Sequence, residues 1–380
     1  MSDGPLRCHL CGSTRLELSA DYPHFKRVTS DCKPWPAGGT LAHCLDCHLV
    51  QTGVTPAWEA EAREIYRQYT IYHQSGGVEQ SVFAQGDGKA SLRSDRLVQA
   101  LREHCLLPTA GRALDLGCGN GAFLRACCRS LSGWELFGAE VDEKYQAQVE
   151  AISGFKRLFT GNWQDIPGTF HLISLIHVLE HIAAPLVVLE MLLGKLEPRG
   201  LLLVQVPDCA QNPFSTLVAD HCSHFSVGAL REIISAAGFE VLQANGSWVS
   251  KEVSVVARKP EGAPARRGPK LPADEAAQIL AGQQWLADML RRVEPLAKAG
   301  RFGIFGTSIA ATWLQAQLEG GAEFFVDEDP GRAGKQHLGK PILPPLLIPG
   351  GSTVFVALPQ PLAGQIAARI RRPGIRVETP

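Results

Sequence analysis

No stretch of the sequence is apolar for long enough to cross a membrane. The longest apolar run, residues 182–196, falls short of the roughly 20 residues that a membrane helix needs, and it contains Glu190 and Lys195. The N-terminal residues also lack the apolar core of a secretory signal peptide. We therefore expect a cytoplasmic protein with no membrane partner.

An excess of charge of either sign is missing as well. The 380 residues include 37 Lys and Arg and 38 Asp and Glu, so the formal net charge is −1. Without a positive field, a nucleic-acid partner is not expected. The hydrophobic content of 45% and the charged content of 20% are ordinary for a folded protein, and the length favours two or three domains.

The eleven cysteines come without a secretion signal, which argues against disulfides and for free thiols or a metal site. Four of them form two Cys-x-x-Cys pairs, Cys8 with Cys11 and Cys44 with Cys47. Each pair places two thiolates on one tight turn, and together they supply four ligands for a tetrahedral, structural zinc. The segment between the pairs is rich in proline and glycine, so it would need such a cross-link. Reduced cysteines in a small β module are the alternative.

Residues 113–124, Ala-Leu-Asp-Leu-Gly-Cys-Gly-Asn-Gly-Ala-Phe-Leu, are the most informative stretch. The pattern predicts a strand, a glycine turn that a ligand can approach closely, and a helix whose first N–H groups are unpaired. About twenty residues later an acid ends the next predicted strand, where a carboxylate can accept both hydroxyls of a ribose. The predicted cofactor-binding residues here are Asp115, Gly117, Cys118, Gly119, Gly121 and Glu140.

A nicotinamide cofactor is the competing interpretation of this turn. Such sites usually require Gly-x-Gly-x-x-Gly, and the third glycine here comes one residue early. Strands and helices then alternate as far as Pro207, which predicts an α/β fold with parallel strands and right-handed crossovers. Asn162, Trp163 and His177 each follow a predicted strand, so we expect them at the same ligand-binding edge. Trp163 either flanks an adenine ring or packs in the core.

The segment after the strand that ends at Pro207 is the candidate for handling the acceptor. Asp220, His221 and His224 lie there, and a neutral imidazole accepts protons near neutral pH. Asp220 could orient one ring. Two other interpretations stay open: these groups satisfy the loop backbone, or Cys222 and the two histidines hold a metal.

A tyrosine-rich segment with Tyr69 and Tyr72 runs into two glycines. It is interpreted either as a lid over the cofactor, with Tyr72 among the catalytic residues, or as packing at a domain joint. Further on, residues 258–272 contain four prolines and five basic residues, which is typical of a linker.

After the linker, residues 273–299 are predicted to form a helix. The residues that follow are predicted to form a smaller, Rossmann-like α/β unit. It begins with a strand, a glycine turn, a helix and a second strand that ends at Asp327. Its glycines, Gly303 and Gly306, lack a third partner. This favours packing or a contact with a nucleotide sugar over an independent cofactor site.

Four motifs in order resemble class I S-adenosylmethionine-dependent methyltransferases over roughly residues 90–257. They are Leu-Asp-Leu-Gly-Cys-Gly-x-Gly, the acid of Gly-Ala-Glu140, the run His-Val-Leu-Glu-His181, and Leu-Glu-Pro-Arg-Gly200 at the start of a strand. The resemblance implies a Rossmann-like methyltransferase core, S-adenosyl-L-methionine as the cofactor, and methyl transfer as the reaction.

The order of zinc knuckles, methyltransferase core and trailing Rossmann-like unit is similar, over nearly the whole chain, to the sugar C-methyltransferases that act on nucleotide-linked keto-deoxysugars. It implies a zinc-binding module at 1–55, a methyltransferase domain at 56–257, a linker at 258–272 and a C-terminal domain at 273–380. The Tyr-x-Glu-His run of that family corresponds to residues 218–221. His221 therefore carries over as the base, Asp220 replaces the glutamate, and the tyrosine is absent.

We therefore expect base-assisted methyl transfer to a carbon of a small-molecule substrate, a nucleotide-linked sugar. The second hypothesis is methylation of a hydroxyl on a polysaccharide or a natural product. The third is a non-catalytic binding module, which would have no use for the intact glycines and Glu140.

Overall fold

The computed structural model describes residues 5–70, 79, 81–83, 90–262 and 267–380. Its three main sheets are a four-stranded sheet near the N-terminus, a seven-stranded sheet in the middle and a six-stranded sheet near the C-terminus. No helix in these ranges has both the length and the low polarity that a membrane span requires.

Short strands flank the two cysteine pairs in the N-terminal module. They are β1 (Leu16–Leu18), β2 (Arg27–Val28), β3 (Pro34–Trp35), β4 (Leu41–Cys44) and β5 (Val50–Thr52). β1, β4 and β5 form an antiparallel sheet, and β2 pairs with β3. The fourth strand of the sheet is Ser223–His224, which pairs with β5. The loop with the predicted catalytic histidines is therefore part of the N-terminal sheet.

Two helices and a β-ribbon connect this module to the central sheet. They are α1 (Pro56–Gln68), β6 (Ser81–Phe83), β7 (Ala90–Leu92) and α2 (Arg93–His104). α1 begins after Thr55, whose side chain accepts a hydrogen bond from the Trp58 N–H and so satisfies one of the free N–H groups at the helix start.

The central sheet alternates strands and helices as the sequence predicts. In chain order, the elements of this part of the chain are β8 (Gly111–Leu116), α3 (Ala122–Ser130), β9 (Trp134–Glu140), α4 (Gln146–Glu150), β10 (Phe155–Thr160), β11 (Phe170–Ile176), α5 (Pro185–Lys195), β12 (Leu196–Pro207), β13 (Ser223–His224), α6 (Val227–Ala236), β14 (Glu240–Asn245) and β15 (Glu252–Arg258). All of these strands except β13, which belongs to the N-terminal sheet, form the central sheet. The strand order is β10-β9-β8-β11-β12-β15-β14. All pairs are parallel except those of β15, which is antiparallel to both neighbours.

The strand order reverses between β8 and β11, because the chain moves outward from β8 to β10 and then crosses back. In an open α/β sheet this switch point leaves a crevice at the carboxyl ends of the strands, where ligands bind. The glycine turn follows β8 and His177 follows β11. The topology therefore places both beside the crevice.

The C-terminal sheet has the predicted strand–helix–strand start. Its elements are α7 (Ala273–Lys298), β16 (Phe302–Phe305), α8 (Ile309–Gln317), β17 (Phe324–Val326), β18 (Gln336–His337), β19 (Lys340–Leu343), β20 (Thr353–Phe355), α9 (Leu362–Ile370) and β21 (Arg376–Glu378). The order is β18-β19-β17-β16-β20-β21, and only β18 runs antiparallel.

The three parts share hydrophobic cores. One cluster combines Tyr22 of the N-terminal module, Phe214 after the central sheet and Trp313 of α8. Leu271, in the segment predicted as a linker, is 4% exposed, and its N–H donates to the Cys47 carbonyl at 2.9 Å. The end of this segment is therefore packed against the N-terminal module rather than solvated.

Candidate active site

The turn after β8 has the backbone that its glycines predict. Gly117, Gly119 and Gly121 have φ values of 67°, 53° and 82°, in the region that only glycine adopts without strain. A Cβ on Gly117 would lie 2.4 Å from a methyl carbon of Val178. The turn needs glycine for both conformation and space, and α3 starts directly after it with unpaired N–H groups.

Glu140 ends β9 and faces this turn. Its carboxylate accepts hydrogen bonds from the N–H groups of Gly119 and Val141. Burial raises the pKa of Glu140, while these two donors act in the opposite direction. A carboxylate at the end of a strand, beside a glycine turn, suits a ribose with two hydroxyls, so Glu140 and the turn fit the nucleoside part of S-adenosylmethionine.

Asp115 and Cys118 lie beneath the turn. Asp115 is 3% exposed and accepts a hydrogen bond of 2.6 Å from the Ser174 hydroxyl on β11. Burial raises the pKa of Asp115 to about 7. Cys118 is also buried, with its sulfur against Gly138 of β9. The side chains of Asp115 and Cys118 are therefore both held in place by contacts with neighbouring strands of the sheet.

Asn162 and Trp163 follow β10 at the same edge of the sheet. The Asn162 side chain is exposed at this position, and its oxygen accepts from the Gln164 N–H at 3.1 Å, which caps a short 3-10 turn. Trp163 is half-buried and packs against the main core of the central domain. The indole is thus mainly a packing residue with part of its surface accessible.

His177 lies directly after β11 with a left-handed φ of 54°. Its Nε2 lies 2.8 Å from the Arg93 guanidinium and 3.2 Å from the carboxylate of Glu252. Burial acts to lower the pKa of His177, but the carboxylates of Glu252 and Glu180 outweigh it and raise the pKa to about 9, so the ring is protonated at neutral pH. Nδ1, 3.2 Å from the carboxylate of Glu180, then donates to it. His177 therefore joins the start of α2 to Glu180.

The loop from Val218 to Phe225 is held by the N-terminal module and by α1. Trp58 Nε1 donates to the Ala219 carbonyl at 2.9 Å, and the Thr52 N–H donates to the Cys222 carbonyl at 3.0 Å. Ser30 donates its N–H and its hydroxyl to the Asp220 carboxylate at 2.9 and 2.5 Å.

Asp220 is in contact with His181, not with its neighbour His221. The Nδ1 of His181 lies 2.9 Å from the Asp220 carbonyl oxygen and 3.5 Å from its carboxylate. Within the described ranges, no hydrogen bond joins Asp220 to the ring of His221. The ring that Asp220 orients is therefore one that the sequence analysis did not assign to the site.

His221 itself is 4% exposed, and its ring stands perpendicular to that of His181, with centroids 4.6 Å apart. Burial, together with the neighbouring histidines, holds the pKa of His221 well below its usual value. No residue in the described part of the chain hydrogen-bonds its ring nitrogens. His221 is thus a neutral imidazole with an available lone pair.

The ring of His224 has other contacts than the ring of His221. Its Nε2 lies 3.1 Å from the Thr52 hydroxyl and its Nδ1 4.0 Å from the Cys209 sulfur. Burial lowers the pKa of His224 to about 3. The ring supports the loop against β5.

The grouping of Cys222 with the two loop histidines as metal ligands is wrong. The Cys222 sulfur lies 3.4 Å from the Glu180 carbonyl oxygen and donates to it. The groups that do converge are a carboxylate oxygen of Glu180 and one ring nitrogen each from His181 and His221, all within 4.8 Å of one another.

Four residues of this region were missed by the sequence analysis. Glu180 and His181 had a signal, since they end the His-Val-Leu-Glu-His run after a strand. Ser30 had none, and neither did Tyr66, whose ring lies 5.8 Å from that of His181. Tyr72 lies outside the described residues, so its predicted role is untested.

The four predicted zinc ligands converge. The sulfurs of Cys8 and Cys47 are 3.5 Å apart, those of Cys11 and Cys44 are 3.6 Å apart, and all four lie within 4.8 Å of one another. A tetrahedral zinc with bonds of about 2.3 Å places its sulfurs about 3.8 Å apart. The two measured distances are close to this value, so the cluster fits a four-thiolate zinc site.

Comparison with known proteins assigns the central part of the chain. Residues 89–244 match the model of a family described as a methyltransferase domain. No match was found among curated proteins.

Similar solved structures resemble about half of the chain. The [4+2]-cyclase SpnF is 20% identical with a TM-score of 0.40, covering 50% of this chain and 90% of its own. A putative sarcosine dimethylglycine methyltransferase from Galdieria sulphuraria is 16% identical with a TM-score of 0.40, covering 53% and 99%. A putative methyltransferase from Bacillus halodurans is 14% identical with a TM-score of 0.35, covering 43% and 98%.

The matched residues include the glycine turn, Glu140, His177 and the loop with His221. Residues 89–244 are thus a methyltransferase domain, and the protein is an S-adenosylmethionine-dependent methyltransferase.

Proposed function

We propose that the protein methylates a carbon atom of a small-molecule acceptor, a nucleotide-linked keto-deoxysugar, with His221 as the base. The support for the sugar is the sequence resemblance in the order of zinc knuckles, methyltransferase core and trailing α/β unit. The support for the base is a single observation. His221 is a buried, neutral imidazole without a hydrogen-bond partner among the described residues, and its ring centroid lies 4.6 Å from that of His181.

The chemistry explains why such a group is needed. S-adenosylmethionine, once bound, supplies a reactive methyl group, so the protein mainly has to align donor and acceptor. Transfer to carbon beside a ketone also requires loss of a proton. The ring nitrogen of His221 would take this proton, and the C–H electron pair would form the new C–CH₃ bond with the methyl group that a bound S-adenosylmethionine would give up on becoming a thioether.

The surroundings of His221 favour this role. Burial opposes the charged form of the ring before reaction, so the base is unprotonated at neutral pH. Backbone hydrogen bonds from Ala219 to Val28 and from Cys222 to Glu180, both 2.8 Å, fix the loop on either side. A rigidly held base keeps the geometry that proton transfer demands.

The four-cysteine cluster belongs to the same proposal as a structural zinc site. His9, between Cys8 and Cys11, lies with its Nε2 2.8 Å from the Ser223 hydroxyl. The turn with Cys8 and Cys11 therefore contacts the loop at Ser223, two residues after His221. We infer that zinc acts by holding this support in place, because four thiolates leave no open coordination position.

The experiment is a binding screen followed by turnover. Nucleotide sugars with and without a keto group are titrated into the protein in the presence of S-adenosylhomocysteine. Binding acceptors are then incubated with labelled methyl donor. A labelled product with a new C–CH₃ group, seen by NMR, supports the proposal. An O-methyl product, or turnover only with acceptors that are not nucleotide-linked, contradicts it.

A further inference from the structure

The corner formed by Glu180, His181 and His221 has the composition of a metal site. Two imidazoles and one carboxylate are a ligand set for zinc, cobalt or nickel, with coordination positions left open. We propose that this corner binds one divalent transition-metal ion, distinct from the four-cysteine site, and that the bound ion inhibits methyl transfer. The inhibitory part rests on the proposed role of His221 as the base.

Glu180 supplies the strongest observation. The residue is 1% exposed, and its Oε1 is 3.2 Å from the Nδ1 of His177. Its Oε2 is buried without a hydrogen-bond partner among the described residues. A buried carboxylate oxygen without a donor is costly, and a cation at this position would satisfy it.

His181 makes a hydrogen bond of the kind that metal-binding histidines make. Its Nδ1 lies 2.9 Å from the Asp220 carbonyl oxygen, which can only accept, so Nδ1 carries the proton. The lone pair is then on Nε2. Metal-binding histidines commonly donate their other ring N–H to a carbonyl or a carboxylate. The side chain is 15% exposed, which gives an ion access to the corner.

His221 completes the set. Its ring stands at 89° to that of His181, and one nitrogen lies within 4.8 Å of the other two ligand atoms. Because the lone pair that binds the ion is the one that would accept the proton of the acceptor, binding and catalysis exclude each other. Free transition metal should therefore act as an inhibitor that competes for His221.

Co²⁺ added to the zinc-loaded protein tests this. We expect one further equivalent to bind, with visible d–d absorption but without the intense sulfur-to-metal charge-transfer band of a thiolate site. Methyl transfer should fall in parallel and recover when Co²⁺ is removed by gel filtration. Zinc content is measured throughout, to show that the cysteine site keeps its ion.

Two variants locate the site. Glu180→Gln keeps an oxygen for His177 but loses the charge, so it should lose the second equivalent. His104→Gln removes an exposed histidine that stacks on Trp248 and should bind Co²⁺ like the wild type. Failure of the wild type to bind a second equivalent overturns the metal site, and so does unchanged binding by Glu180→Gln. Binding with full turnover leaves the site standing and instead contradicts His221 as the base.

Discussion

Ser30 donates both its backbone N–H and its hydroxyl to the carboxylate of Asp220, although the two residues are 190 positions apart. This carboxylate is fully buried, and its other neighbour is the ring of His181 at 3.5 Å. The N-terminal module therefore contributes directly to the position of the loop that contains Asp220 and His221. The structural role of this module is therefore larger than holding the four cysteines together.

Because of this contact, the effects of replacing Ser30 and of replacing Asp220 on the unfolding free energy should depend on each other. Ser30→Ala removes one hydrogen bond to a buried charge, which is worth about 1–3 kcal/mol of unfolding free energy. Urea denaturation of Ser30→Ala, Asp220→Asn and the double variant should show that the two losses are not additive. Ser132→Ala, at an exposed position, is the control. Additive effects would mean that the contact contributes nothing to stability.

Replacing Glu140 should weaken cofactor binding. Glu140→Ala removes the carboxylate expected to accept the ribose hydroxyls, at a cost of about 1–3 kcal/mol, or roughly 5- to 150-fold in Kd. Calorimetry with S-adenosylmethionine measures this. Glu135→Ala is the control, because Glu135 is an exposed acid on the same strand and pairs with Lys156. The affinity of this variant for S-adenosylmethionine should equal that of the wild type. Equal affinities in all three proteins would rule out the role of Glu140.

Metal analysis should find one zinc per chain in protein purified without added metal. Cys44→Ser should lose the ion and lower the melting temperature, because the knuckles and the loop contact through His9 and Ser223. Cys128→Ser, outside the cluster, should retain zinc. Metal-free wild-type protein with four reactive thiols at these positions would contradict the site.

Loss of His221 should act on turnover rather than on folding. His221→Gln is expected to bind S-adenosylmethionine normally and to turn over at least ~10²-fold more slowly, the lower end for loss of a general base. His224→Gln should lose less, since that ring contacts Thr52 and Cys209. Single-turnover rates on the acceptor from the binding screen provide the comparison. Near-normal rates for His221→Gln would place the base elsewhere.

Asp115 should make stability depend on pH. Burial raises its pKa in the folded state from 3.8 to about 7, so between these values the folded protein holds more protons than the unfolded chain. Its contribution is therefore present at low pH and is lost as the pH rises towards 7, by at most about 1.4 kcal/mol per pH unit. Asp115→Asn keeps an acceptor for Ser174. Its unfolding free energy should decrease less with pH than that of the wild type.

This comparison needs both proteins without cofactor, measured by urea denaturation at several pH values. Other buried groups titrate in the same range and cancel in the difference between the two proteins. Identical slopes would show that Asp115 is ionised in the folded state at low pH.

Features that depend on near neighbours can be predicted from the sequence. Gly117 and Gly121 follow an apolar run because a sharp turn into α3 requires positive φ. Glu140 lies at the end of β9 because the strand pattern stops there, and each cysteine pair lies on one turn. The alternation of strands and helices was readable for the same reason, since the hydrophobic period is set within a few residues.

Contacts between groups that are distant in the sequence are visible only in the folded protein. Nothing near Ser30 in the sequence shows that it binds Asp220, and nothing near Ser223 and His224 shows that they extend the N-terminal sheet. His181 was visible in a motif, but its contacts with Asp220 and His221 depend on how two loops pack. Such contacts depend on burial and hydrogen bonding across the folded chain, which local patterns do not encode.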